Sequence, residues 1–151
     1  MMAPIDALFP SARWFSELVA RASADQSAME RLGIAGLRLG LEIVDDGHPQ
    51  MFGIVLDGYD VESLGDVDEE AFAPEVVVSG PSGAWREMVS SIEASGSADA
   101  SHTLNSLTIT GLPFSVRAND AMGHDKFFRY MGTLQAIFDA AGSPATVSTG
   151  P

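Results

Sequence analysis

The chain has 151 residues, a length that suits one domain, and carries 21 acidic against 8 basic residues for a formal net charge of −13. That charge repels nucleic acid and anionic membrane surfaces, so neither is an expected partner. Cysteine is absent, which removes disulfides, thiolate metal sites and a cysteine nucleophile, and no run of about 18 apolar residues is present to span a bilayer.

The first ten residues, MMAPIDALFP, lack a basic region followed by an apolar run. They read as a lead-in (1–10) whose Ile5, Leu8 and Phe9 can dock on the domain, with no signal peptide and a cytoplasmic location expected. Ser11 is a candidate N-cap. In the helix that follows, Trp14, Phe15, Leu18, Val19 and Ala22 share one face, and Arg13, Glu17 and Arg21 the other. Ser23 with Gln26 suggests a second, short helix to about Leu32, ended by Gly33. From 36 to 45 the period changes to two, with Leu37, Leu39, Leu41 and Ile43 on one side. Asp46-Gly47 is a hairpin turn signal, and 51–59 supplies the second strand, with Phe52, Ile54 and Leu56 together.

Residues 57–75 are acidic and read as a solvated connection. Asp66 to Val77 only hints at a calcium loop: Ala71 stands where that loop needs Gly, and Val77 where it needs a bidentate Glu, so no metal is expected. The strand EVVVS (75–79) runs into Gly80-Pro81-Ser82-Gly83. A phosphate-binding loop would need Gly-Lys-Ser/Thr where this chain has Ala84-Trp85-Arg86, and a nucleophile elbow would need Gly in place of Ala84. Ser82 therefore reads as the cap of a helix over 83–94, with Trp85, Met88, Val89 and Ile92 inward. A loop over 95–103, a strand over 106–110, a turn at 111–113 and a strand over 114–118 with Phe114 and Val116 inward follow. Asn119 or Asp120 is a cap candidate, with Gly123 a break before the next helix.

That next helix, 124–141, is the longest amphipathic stretch. Phe127, Met131, Leu134, Phe138 and Ala141 form one line, flanked by Tyr130 and Ile137, while Lys126, Arg129, Thr133 and Ala136 point away. Gly142 and Pro144 end it, and 143–151 reads as a disordered tail, which leaves 11–142 as the single domain. Phe128 sits off the stripe, over Gly132 and beside Gln135, suited to a cavity mouth or a dimer contact.

The order helix, hairpin, acidic connection, strand, Trp-led helix, strands and C-terminal helix resembles the sterol-carrier-protein-like, non-specific lipid-transfer domain family. The residues that carry the resemblance are AFAPEVVVSGPSGAWREMVSSI over 71–92 and, in part, Asn105-Ser-Leu107-Thr-Ile109-Thr-Gly111 against a G-x-L-x-I-x-G strand. The resemblance covers roughly 11–141 and implies an α+β fold: a mostly antiparallel five-stranded sheet, helices packed on one face, and an apolar tunnel between them for a fatty acyl chain, sterol or similar lipid. The residues placed to line such a tunnel are Trp14 and Leu18; Leu39; Trp85, Met88 and Ile92; Phe114; and Phe127, Phe128, Met131, Leu134, Gln135 and Phe138. His102 and His124 are the candidate polar anchors. The first reading is a carrier without cofactor, metal, stable membrane anchoring or chemistry of its own. A small enzyme using a histidine or Asp as acid–base on a steroid-like or polyketide-like substrate is the second, and a homodimeric interaction domain the third.

Overall fold

The computed structural model describes residues 8–24, 27, 30, 35–109 and 113–142. Its elements are α1 (Ala12–Ser23), β1 (Ala35–Asp45), β2 (His48–Gly58), β3 (Asp60–Asp66), α2 (Glu69–Phe72), β4 (Val76–Pro81), α3 (Ser82–Ser95), α4 (Leu104–Thr108), β5 (Ser115–Ala118), α5 (Ala121–Arg129), α6 (Met131–Asp139) and a 3-10 turn (Ala140–Gly142). The strands form one sheet in the order β3-β2-β1-β4-β5. Three of its pairings are antiparallel, and the central β1–β4 pair is parallel.

The period-two pattern of β1 has a direct outcome in the sheet. Leu37, Leu39 and Leu41 pair with Leu56, Ile54 and Phe52, and Leu39 and Leu41 also with Val76 and Val78. Cross-strand partners share a face, so these residues make one continuous apolar surface. The hairpin closes at Asp46 (φ 53°) and Gly47 (φ 79°), the positive dihedrals that the Asp-Gly pair predicts.

Helices α1, α3, α5 and α6 cover that surface. Ser11 caps α1 by accepting from the Trp14 N–H at 3.1 Å, and Asp120 caps α5 by accepting from the Gly123 N–H at 2.9 Å. Helix α3 ends at Gly96, whose φ of 86° suits a left-handed cap. Gly123 is buried inside α5 rather than marking a break, because a Cβ there would overlap the Glu75 carbonyl oxygen. The absence of a side chain lets α5 lie directly on the backbone that leads into β4.

The opposite face of the sheet is partly covered by α2, the element least visible in the sequence. Phe72 seats over Gly53, where a Cβ would come within 2.7 Å of the ring. The Arg38 guanidinium lies 4.4 Å from the Phe72 ring centre and donates to the Phe72 carbonyl. Arg117 on β5 forms a bidentate pair with Glu69 at 2.6 and 2.8 Å, and Glu75 accepts from the Arg38 N–H and from Lys126.

Several expectations are corrected. Residues 57–75 are not a simple connection: 60–66 form the edge strand β3, and 69–72 form α2. Acidic side chains on an edge strand discourage further strand pairing and hide the strand from a hydrophobicity reading. The strand expected over 106–110 is absent from its described part: 104–108 are helical, with Thr103 accepting from the Ser106 N–H at 3.1 Å as N-cap. The long helix 124–141 is two helices with a break at Tyr130 (φ −97°, ψ 16°). Ser82 is the first residue of α3 instead of its cap, and its hydroxyl donates to Asp45 at 3.2 Å. Arg21, placed outward by periodicity, is buried, pairs with Glu17 at 3.7 Å and donates to the Ala141 carbonyl at 3.3 Å. Of the short helix expected after Ser23, residues 27 and 30 are described and are helical, while the turn at 111–112, Ile5 and the tail 143–151 lie outside the described residues.

Both the Gly123 contact and the Arg117–Glu69 pair can be tested. Gly→Ala inside a helix ordinarily stabilises by up to about 1 kcal/mol. Gly123→Ala should instead destabilise by about 1–3 kcal/mol because the methyl group meets backbone, read as a lower urea midpoint; a raised midpoint would refute the close approach. The hydrogen bond from Arg117 holds the Glu69 carboxyl below its ordinary value. Its contribution to stability is therefore complete above the ordinary carboxylate range and lost as pH falls through the depressed value. Thermal unfolding of Glu69→Gln should lose less stability than wild type between about pH 5 and 3; parallel curves would refute the pairing.

Candidate functional site

Ten of the residues expected to meet a ligand converge: Trp14, Leu18, Leu39, Trp85, Met88, Ile92, Phe114, Phe127, Leu134 and Phe138 all belong to one buried cluster between sheet and helices. Met131 packs against its edge. The rings fall into three groups, one of them on α5, where Phe127 meets Phe128 edge-on at 5.0 Å. Around α1, Trp14 meets Phe9 edge-on at 4.7 Å and Phe15 at 5.0 Å, and Phe15 reaches Phe52 of β2 at 4.8 Å. Around α3, Trp85 stacks on Phe114 at 4.3 Å and lies 6.1 Å from Phe138. Phe114 rests directly on Gly80, which explains how an indole and a phenyl ring fit over one strand end. Trp85 also donates its indole N–H to the Glu42 carbonyl at 3.2 Å, so its polar atom is satisfied while the ring is fully buried.

The polar candidates lie at the margins. Gln135 accepts from the Leu104 N–H at 2.7 Å and donates to Asp139 at 2.9 Å, which fixes α4 to α6. His102 is at the surface, with Nδ1 2.7 Å from Asp99 and Nε2 3.7 Å from Glu87. Hydrogen bonds from His102 and then Ser101 hold the Asp99 carboxyl down to about 2. His124 is exposed, and its ring lies 5.0 Å from that of Phe128, which is 39% exposed. Neither histidine is placed within the apolar cluster.

Two hollows lined by described residues lie elsewhere. One of about 220 Å³ is bordered by Glu69, Pro74, Glu75, Val77, Arg117, Ala118 and Asn119. A second, of about 560 Å³, is bordered by Asp68, Glu69, Glu70, Ala73, Pro74 and Asn119. Both adjoin α2 and are rich in carboxylates, and none of the residues expected to contact a ligand borders either one. The sequence reading marked 57–75 as acidic and solvated but placed no hollow there. Among the described residues no group of three or more His, Asp or Glu is placed to hold a metal ion, and no helix is long and apolar enough to cross a membrane.

No family model and no curated protein matches the chain. Solved structures do. Sterol Carrier Protein 2 from Yarrowia lipolytica, in its apo form, is 13% identical with a TM-score of 0.49, over 87% of this chain and 91% of that one. The UbiJ-SCP2 ubiquinone synthesis protein is 19% identical with a TM-score of 0.46, over 86% of each chain. A conserved hypothetical protein from Thermus thermophilus, described as a candidate sterol carrier protein, is 12% identical with a TM-score of 0.53, over 99% of this chain and 98% of that one. The last overlap runs through nearly the whole of both chains. The chain has a sterol-carrier-protein-like α+β fold.

Proposed function

We propose that the protein binds a hydrophobic small molecule, a fatty acyl chain, sterol or similar lipid, between its helix layer and its sheet, and carries it through the cytoplasm without altering it. The observation that carries this reading is the apolar cluster itself, drawn from α1, α3, α5, α6 and three strands, in a sterol-carrier-like fold. A ligand enters this buried layer by parting helices from the sheet. The break at Tyr130 and the separate short helix α4 are where such parting is easiest. A ligand that sheds about 400 Å² of apolar surface gains on the order of 10 kcal/mol before ordering and opening costs, which is enough to offset a local displacement. Phe128, exposed beside His124 at the end of α5, is suited to the mouth of that opening.

Phe128 also favours a second reading, in which α5 packs against a second copy of the chain. Native mass spectrometry of the purified protein, followed by denaturing extraction and lipid analysis, separates the two. The carrier reading predicts a monomer with a near-stoichiometric apolar mass; an empty dimer would move the assignment to the interaction reading. Paired substitutions add a check. Phe138→Ala should cost about 3–5 kcal/mol of stability because it empties a buried site. Phe128→Ala should cost under about 1 kcal/mol and weaken lipid binding severalfold. Unchanged lipid affinity in Phe128→Ala would remove Phe128 from the site.

A further inference from the structure

We infer that His102, held between Asp99 and Glu87, is a pH-operated latch that fixes segment 96–103 and helix α4 against α3 and α6. The segment joins α3 to α4 and has little apolar surface of its own, so polar contacts hold it. From α3, Ser91 accepts from the Asp99 N–H at 3.1 Å and Glu87 faces the His102 Nε2 at 3.7 Å. From α6, Asp139 accepts from the Ala98 N–H at 3.1 Å, and Gln135 accepts from the Leu104 N–H. From α4, Ser106 donates to the Ala100 carbonyl at 2.5 Å. Within the segment, Asp99 accepts from the Ser101 N–H, from the Ser101 hydroxyl and from His102.

The direction of the pH effect follows from the two carboxylates. A carboxylate only accepts, so Asp99 requires a proton on Nδ1. When the ring is charged, Nε2 also carries a proton and attracts Glu87. When the ring is neutral, Nδ1–H still serves Asp99, but Nε2 turns a lone pair toward Glu87, and the link to α3 becomes repulsive. Histidine is the side chain whose charge changes most readily near neutral pH; the latch is closed when the ring is charged and open when it is neutral. What it holds matters: α4 contributes Leu104 and Leu107 to the apolar cluster. Gating of lipid exchange by this latch rests on the carrier reading; the latch itself does not.

Hydrogen exchange detected by mass spectrometry, corrected for intrinsic rates at each pH, tests it on the intact protein. Peptides covering 98–108 should lose protection about threefold to fivefold between about pH 5.5 and 8, the effect expected of one partly exposed ion pair. Peptides from β1 and β2 should not change. His102→Gln should show the open-state protection at both pH values. Glu87→Gln, at a largely exposed position, should fold normally and abolish most of the pH dependence. Equal wild-type protection at both pH values, a uniform change across all peptides, or pH dependence retained in His102→Gln would each overturn the latch. Release of bound cis-parinaric acid should quicken with pH in wild type alone. A pH-independent release beside a confirmed latch would overturn the gating, whereas failure of cis-parinaric acid to bind at either pH would count against the carrier reading.

Discussion

Trp85 is fully buried, so its indole N–H must find an acceptor inside the protein, and the acceptor it finds is the main chain of the central strand. That bond to the Glu42 carbonyl fixes α3 over β1. The same residue works on the other side of the sheet, where the Glu42 carboxylate accepts from the Ser79 hydroxyl at 2.7 Å and lies 3.6 Å from Arg117. Residue 42 therefore links both layers: its backbone holds the aromatic helix on the apolar face, and its side chain joins the ion pairs that hold β5 and α2. Phe114 stacked on Trp85, Phe138 beside it, and the seat on Gly80 all depend on the indole being held there.

The two faces of the sheet follow different physics. The face under the helices is a buried apolar layer, stabilised by area removed from water. The other is a smaller layer, where Met51 and Val77 are buried beside Gly40, Phe72 seats on Gly53, and a few charge-assisted bonds pin a single turn of helix. The stretch between Arg38 and Arg86 contains no Lys or Arg and supplies most of the hairpin, the edge strand β3, α2 and β4. Basic residues that do serve the region, Arg38, Arg117 and Lys126, come from outside that stretch and bond to Phe72, Glu69 and Glu75.

Much of the fold was legible because burial leaves a period. The leucines of β1, the Asp-Gly turn, the Ser11 cap and the Trp85 helix are each set by local chemistry that survives in the structure. The errors share a cause, which is that tertiary contacts overrode a local pattern. Alternating Leu107 and Ile109 read as strand, yet Thr103 caps a helix and Gln135 of α6 takes its first N–H. Arg21 falls on the polar side of a wheel but is drawn inward by Glu17 and the Ala141 carbonyl. Gly123 reads as a break, although it is the close approach of α5 to the Glu75 backbone that requires glycine. For the site, periodicity identified which residues are buried and nothing more. A side chain that closes a core and one that lines a ligand channel have the same spacing, so contact with a ligand is not written in the pattern.

The central claim is that an apolar ligand occupies the interior between helices and sheet, and methyl NMR reads that interior directly. With Ile, Leu and Val methyl groups labelled, titration with oleate should shift Leu18, Leu39, Ile92 and Leu134 together and saturably, leaving the exposed Leu8 and Ile109 unchanged. Shifts confined to surface methyls, or none at all at saturating ligand, would contradict the account and leave a sterol-carrier-like fold whose interior is a filled core.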